Sequence, residues 1–232
     1  MKQSDNFDVP DKKNIMLNVD LSEKTLSLYH QFRASKMLNI DEKVLKVRNP
    51  LVLLNKLRQF LGGVVISNYE DDYVLHKVSS EKLNTLKDYI IEETPTPKNK
   101  LVIYCVFIHE IDMICDMLND MDISYGRISG KVPIKQTEKI IQLFQNENQP
   151  CVIVGQVKTL SAGIKLSRSK RVLFYTPDFS FQVIEQAKER IVDSSQKNNV
   201  AYIYLVVKNT IEERIIRLLT KLKKQSNYIL DE

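Results

Sequence analysis

Apolar residues follow two different rhythms along this chain, with the change near Lys100. From Lys100 onward, short apolar runs alternate with longer amphipathic stretches. The runs predict strands over 101–107, 123–128, 151–155, 171–175 and 200–207. The stretches between them predict helices over 109–121, 133–146, 180–192 and 210–224. Parallel neighbours need a long crossover, so strands alternating with helices predict a parallel sheet covered on both faces. Thr210 with Glu213 predicts a capping box on the last helix, which buries Ile211, Ile215, Leu218, Leu219 and Leu222.

Before Lys100 the elements are shorter. Ile15 to Val19 alternates apolar and polar and predicts a strand. Asp20, with Glu23 three residues on, is the expected cap of a helix striped by Leu21, Thr25, Leu28 and Phe32. A second helix is expected from Pro50 to Leu61, ended by Gly62-Gly63. Val64 to Ile66 and Tyr73 to Leu75 predict a hairpin turning at Asn68 to Asp72. Leu83, Leu86, Ile90 and Ile91 predict a helix that must stop before Pro95 and Pro97. The expected organisation is a polar tail or linker over 1–12, one domain over 13–225 and a tail over 226–232. Within that domain, a helical lead-in spans about 20–63 and an α/β core about 79–225. No internal repeat or low-complexity tract interrupts it.

At 232 residues the chain can bury a substantial core, and 43% hydrophobic with 27% charged residues is ordinary for a soluble globular protein. No apolar run approaches the roughly 20 residues that cross a bilayer, and Met1-Lys2-Gln3-Ser4-Asp5 opens no signal-peptide core. An intracellular protein, cytoplasmic or nuclear and without a membrane partner, is expected. Cys105, Cys115 and Cys151 are odd in number, widely spaced and set in apolar sequence, which predicts buried free thiols. A net charge of +5 permits nucleic-acid contact without arguing for it, and Lys221, Lys223 and Lys224 read as a solvated helix face. Richness in Lys, Asn and Ile suits a low-GC genome, viral or phage genomes included.

Open parallel sheets bind ligands outside the carboxyl ends of their strands. Gln156 to Gly163 and Thr176 to Ser180 follow such ends. Gly163 lets backbone approach a partner, and Thr159 or Ser161 could donate to a phosphate, with Lys158 beside them. A plain strand-to-helix connection would also use that glycine. Downstream, Gln186 and Arg190 stand four residues apart on one face of the helix expected from Ser180. A guanidinium fork suits phosphate oxygens, and the alternative for Arg190 is a surface ion pair with Glu185 or Glu189, which contributes little. His30, His76 and His109 are isolated, and no metal site is expected.

Gln186-Ala187-Lys188-Glu189-Arg190-Ile191-Val192-Asp193-Ser194-Ser195-Gln196 resembles motif VI of superfamily 2 helicases, most closely the SNF2-like branch. The resemblance extends in order over roughly residues 9 to 224. Leu17 to Ser22 with Tyr29 is similar to the opening of the second lobe, and Leu54 to Gln59 to the Leu-Arg-Gln helix. Lys100 to Phe107 is similar to the motif IV strand, Gly130-Lys131 to the next turn, and Asn209 to Glu213 to the Thr-Ile-Glu-Glu start of the closing helix.

The resemblance implies a RecA-like lobe with a helical N-terminal lead-in, the second motor lobe of an ATP-dependent DNA helicase or translocase. It implies Arg190 and Gln186 at the ATP cleft, and Lys158, Thr159, Ser161 and Gly163 along a nucleic-acid track for double-stranded DNA. A first RecA-like lobe, in cis or in trans, is the implied partner, because the chain has no Gly-x-x-x-x-Gly-Lys-Ser/Thr. Gly130-Lys131 runs into Val132, and Tyr125 fills the earlier glycine position. The terminal Ile229-Leu230-Asp231-Glu232 reads as a chance likeness to an Asp-Glu box. ATP and Mg2+ are therefore expected only when a first lobe completes the site, and the chain alone should be inactive.

Two positions depart from the family pattern. Lys165 stands where Asn is usual, and Asp193 stands where motif VI has its second arginine. A carboxylate there repels the developing charge that an arginine would stabilise. Either this copy is catalytically impaired, or the register differs and Lys197 reaches the site. A stand-alone lobe that binds nucleic acid or protein without ATPase activity is the alternative.

Overall fold

The computed structural model describes residues 12–40, 43–69, 72–160, 164–192 and 200–230. Strands β1 (Lys12–Val19), β6 (Leu101–Cys105), β7 (Tyr125–Ile128), β8 (Val152–Gln156), β9 (Arg171–Phe174) and β10 (Val200–Val207) form one sheet in the order β1-β10-β9-β6-β8-β7. Every pairing in it is parallel. The first strand joins this sheet at its edge, with Lys12 opposite Val200 and Val19 opposite Val207. Everything between β1 and β6 is therefore an insertion into the α/β core. It comprises α1 (Glu23–Ser35), the hairpins β2 (Met37–Ile40) with β3 (Lys43–Lys46) and β4 (Val64–Tyr69) with β5 (Asp72–Lys77), α2 (Pro50–Leu61) and α3 (Glu81–Glu92).

Alternation divides the core in two. Leu101, Ile103, Cys105, Leu173, Tyr175, Ile203 and Leu205 face one layer, with Tyr29, Phe32, Phe60, Leu86 and, from α4 (Ile108–Asp120), Ile111, Ile114 and Leu118. Val102, Tyr104, Val172, Phe174, Tyr202 and Tyr204 face the other, under α5 (Ile134–Asn146), α6 (Val157–Leu160), α7 (Phe181–Glu189) and α8 (Ile211–Leu230). Strands buried on both faces are read from the sequence as near-continuous apolar runs for this reason. At Gly155 the layers close tightly: a Cβ there would lie 2.6 Å from the Ile128 carbonyl oxygen and 2.6 Å from Leu160. Cys105, Cys115 and Cys151 are buried free thiols.

Local chemistry departs from the expected caps in two places. Ser22, not Asp20, caps α1, accepting from the Thr25 N–H at 3.2 Å. Its hydroxyl also donates to Glu81 at 3.1 Å, so a tertiary carboxylate fixes the helix start and complements its dipole. At α8, Thr210 donates to the Val207 carbonyl at 2.7 Å and accepts from Glu212 N–H, while Glu213 accepts from Asn209 N–H at 3.0 Å. The reciprocal box is thus displaced by one residue at each arm. The hairpin β2–β3 is an element that the hydrophobic pattern does not predict.

The insertion is fastened to the sheet by buried charge. Lys82 on α3 pairs with Glu212 on α8, both side chains 0% exposed, and Glu212 also accepts from the Val207 N–H at 3.1 Å. Glu110, fully buried, accepts from the N–H groups of Val106 and Phe107 at 3.0 and 3.1 Å and from the Thr176 hydroxyl at 2.6 Å. Burial pushes both carboxyls above the ordinary glutamate range, and Lys82 opposes that shift in each. Removing one member of such a pair strands the other charge in a dry interior. Lys82→Ala should therefore cost about 3–5 kcal/mol of unfolding free energy. Lys82→Met combined with Glu212→Leu should cost less than Lys82→Ala alone. Urea unfolding of the three proteins checks the ordering.

Candidate functional site

The carboxyl ends of β6, β8 and β9 face the N-terminal half of the insertion, and Arg58 of α2 stands between them. Its side chain is buried although it carries a full charge. Nη2 donates to the Pro177 carbonyl at 2.8 Å and Nη1 to Asn55 Oδ1 at 3.4 Å, while Nε has no partner. The guanidinium carbon lies 5.5 Å from the Phe107 ring centre and 5.1 Å from that of Phe179. The His109 ring stacks on Phe107, 5.4 Å away at an interplanar angle of 13°. Burial lowers the His109 pKa from 6.5 to about 4, so at neutral pH this ring is uncharged beside the arginine. Burial also lowers the Arg58 pKa, opposed by Asp178, Glu110 and Glu212.

The arginine helix is shorter than the sequence pattern predicts. It ends at Glu189, and Arg190 is its C-cap in helical geometry, φ −66° and ψ −20°. The chain then turns tightly, Ile191 N–H bonding the Lys188 carbonyl at 3.2 Å, and buries Ile191 in the core. Gln186 and Arg190 remain one turn apart and half-buried. Three bonds fix this end of the helix. Tyr104 donates to the Ala187 carbonyl at 3.1 Å, Tyr202 to that of Lys188 at 3.3 Å, and Leu166 N–H to that of Arg190 at 2.7 Å. Glu185 is engaged by Lys188 at 2.9 Å.

Lys158 and Thr159, neighbours on α6, open onto different cavities. Thr159 lines an open cavity of about 770 Å³ with Ser129, Gly130, Thr137 and Lys165. There the Gly130 turn and the loop after β8 meet, and the buried Ser129 hydroxyl has no partner. Lys158 lines a second cavity of about 420 Å³ with Lys56, Arg58, Asp178 and Phe179. Ser161, Gly163, Asp193 and Lys197, together with Asp231 and Glu232, lie outside the described residues. Among the described residues no group of three or more His, Cys, Asp or Glu side chains gathers to hold a metal ion. None of the described helices is long and apolar enough to cross a membrane.

Sequence reasoning gave Arg58 and Glu110 no role at this edge. The available signal was a charge inside an apolar stripe: Arg58 among Leu57, Phe60 and Leu61, and Glu110 beside Ile111 and Ile114. Among the described residues, such charges are buried here with hydrogen-bond partners drawn from strand ends.

Residues 81–195 match the family described as Helicase conserved C-terminal domain. An uncharacterized ATP-dependent helicase of Mycoplasma genitalium is 28% identical over 212 residues, which is 91% of this chain and 20% of the relative. The chain thus spans about a fifth of that relative's length. The C-terminal part of the Fun30 ATPase domain superposes with a TM-score of 0.66 at 14% identity, over 91% of this chain and 90% of that one. The Sulfolobus solfataricus SWI2/SNF2 ATPase core in complex with dsDNA gives 0.63 at 20% identity, over 91% and 44%. These last two likenesses are of fold. The chain is thus similar to C-terminal RecA-like lobes of SNF2-like helicases in fold, and its residues 81–195 match the helicase conserved C-terminal domain.

Proposed function

We propose that this chain is the second motor lobe of an ATP-dependent DNA translocase, working inside the cell with a first RecA-like lobe supplied in cis or in trans. Arg190, with Gln186 orienting the site, would face the nucleotide across the inter-lobe cleft. Lys158, Thr159, Ser161 and Gly163 would form part of a track for double-stranded DNA. The observation that carries the reading is the fixed end of α7. Three hydrogen bonds hold its last carbonyls where Arg190 leaves the helix, and a charge held in place needs no reorganisation as phosphate charge develops. The phosphate loop and the magnesium carboxylates would be the other lobe's, so ATP and Mg2+ would bind only the completed pair. A relative named as an ATP-dependent helicase and a fold neighbour solved with dsDNA both support the assignment.

A second reading is favoured by Asp193, an anion in the register of the second motif VI arginine. It makes the chain a degenerate lobe that binds nucleic acid or protein without hydrolysing ATP. Joining the chain to a competent first lobe separates the two. The motor reading expects a slow ATPase that Asp193→Arg accelerates and Arg190→Ala slows, with Asp193→Ala between wild type and Asp193→Arg. Unchanged or reduced turnover in a folded Asp193→Arg hybrid would favour the binding module.

The chain alone, carrying one side of the track, should bind duplex DNA weakly and through its backbone. The logarithm of its affinity should fall with log salt at a slope of about −0.9 for each phosphate contacted. Fluorescence anisotropy across a salt series measures that slope. Tight binding indifferent to salt would contradict the backbone-contact reading.

A further inference from the structure

The first strand closes one side of the sheet. Among the described residues β1 pairs only with β10, and no hydrogen bond reaches its backbone from the opposite side. Such an edge offers a row of N–H and C=O groups to any chain that can extend the sheet. Ile15, Leu17 and Val19 turn toward the core. The alternate residues Asn14, Met16 and Asn18 lie on the other face and are exposed, Met16 by 45%. Asn14 and Met16 wall a cleft between β1, α7 and α8, lined also by Phe181, Ile184, Ile216 and Leu219. These two strand residues stand opposite Tyr202 and Tyr204, in the middle of the sheet and not at its carboxyl edge. The cleft holds about 210 Å³, less than the roughly 300–1,000 Å³ of small-ligand pockets, so it suits one apolar side chain.

The charges around the cleft narrow its occupant. Lys188 on one wall is paired with Glu185 at 2.9 Å. Lys223 on another wall makes no ion pair among the described residues. From Arg214 to Ser226, α8 carries five cations and no carboxylate. The occupant must therefore combine extended backbone, an apolar side chain and negative charge. A nucleic acid has the charge but can neither complete a strand ladder nor fill the cleft with a side chain. A second copy of this chain, joined edge to edge through β1, would set the two α8 helices cation against cation on one face of the sheet. An acidic peptide segment supplies all three.

We infer that β1 is a docking edge for an acidic, extended segment of a protein partner, which adds a strand to the sheet and seats one large apolar side chain beside Met16. Main-chain bonds give this kind of pairing its affinity, and the side-chain pocket gives it specificity. Met16 is unbranched and flexible, so it can adjust to the side chain that enters. The inference is independent of the nucleotide and DNA readings.

The test uses the full chain as bait for a displayed library of random dodecapeptides. The enriched peptides should be acidic and share one large apolar residue. A synthetic copy of the strongest should slow amide hydrogen exchange across Lys12–Val19. Because ladder bonds alternate along a strand, methylating every second backbone amide of that peptide should abolish binding in one register. In the other register the affinity should stay within about twofold. Met16→Asp should weaken the peptide about tenfold or more through lost apolar burial, and Lys223→Glu about fivefold. Lys223 lies outside the buried core, so its variant reads the site even if Met16→Asp fails to fold. A library that enriches nothing, or enriches basic peptides, overturns the proposal. So does an enriched peptide that protects a segment other than β1, or binds Lys223→Glu as tightly as wild type. Protection of β1 by a short duplex or an oligothymidylate would assign the edge to nucleic acid. Dimerisation in sedimentation that Met16→Asp abolishes would assign it to a second copy, and either result overturns the proposal equally.

Discussion

Backbone groups at the end of a parallel strand run out of ladder partners, and in this lobe buried charges take over. Glu110 receives two N–H groups from the loop after β6, Glu212 receives one at the end of β10, and Arg58 gives to a carbonyl after β9. A buried N–H or C=O left alone would cost free energy comparable to a lost hydrogen bond. A charge placed there satisfies several such groups at once. It then needs a counter-charge of its own, which Lys82 supplies for Glu212. The residues that settle the strand ends come from α2, α3, α4 and α8, so the insertion and the sheet are one cooperative body.

The opposite face solves a different problem with neutral groups. Tyr104, Phe174 and Tyr204 lie side by side across β6, β9 and β10, with ring centres 5.4 and 4.7 Å apart. Tyr104 and the nearby Tyr202 send their hydroxyls out of the apolar layer to the last carbonyls of α7. One set of rings both fills the core and sets the position of Arg190. The strand-end loops and the arginine helix are thus held from different faces of one sheet, the first by ions and the second by hydroxyls.

The α/β core was legible because its signal is redundant. Each inner strand is an apolar run, and most helices carry a stripe, so the strands, α4, α5 and α7 fall within a few residues of expectation, while the short α6 was not expected and α8 runs on to Leu230, through most of the stretch expected as a tail. The hairpin β2–β3 was not legible, since its strands are four residues long and bury few side chains, Leu38 among them. Asp20 was a reasonable cap in isolation. What favours Ser22 is Glu81, distant in sequence, which no local pattern reveals. The same holds for the site. Arg190 was visible through its motif, but the aromatic company of Arg58 on α2 comes from the loop after β6 and the loop after β9, which only the fold brings together.

The pairing of the first strand with the last has a consequence for synthesis. Lys12 cannot meet Val200 until the intervening chain has been made. Ribosomes add about 5–20 residues per second, so β1 waits roughly 10–40 s for its only sheet partner among the described strands. During that wait Ile15, Leu17 and Val19, which pack against the core in the finished lobe, have no sheet to cover them. Contacts this distant along the chain also slow the search for the native topology. The nascent lobe is thus most exposed to aggregation, and most in need of a chaperone, at β1, whose partner is the last described strand of the sheet to be made.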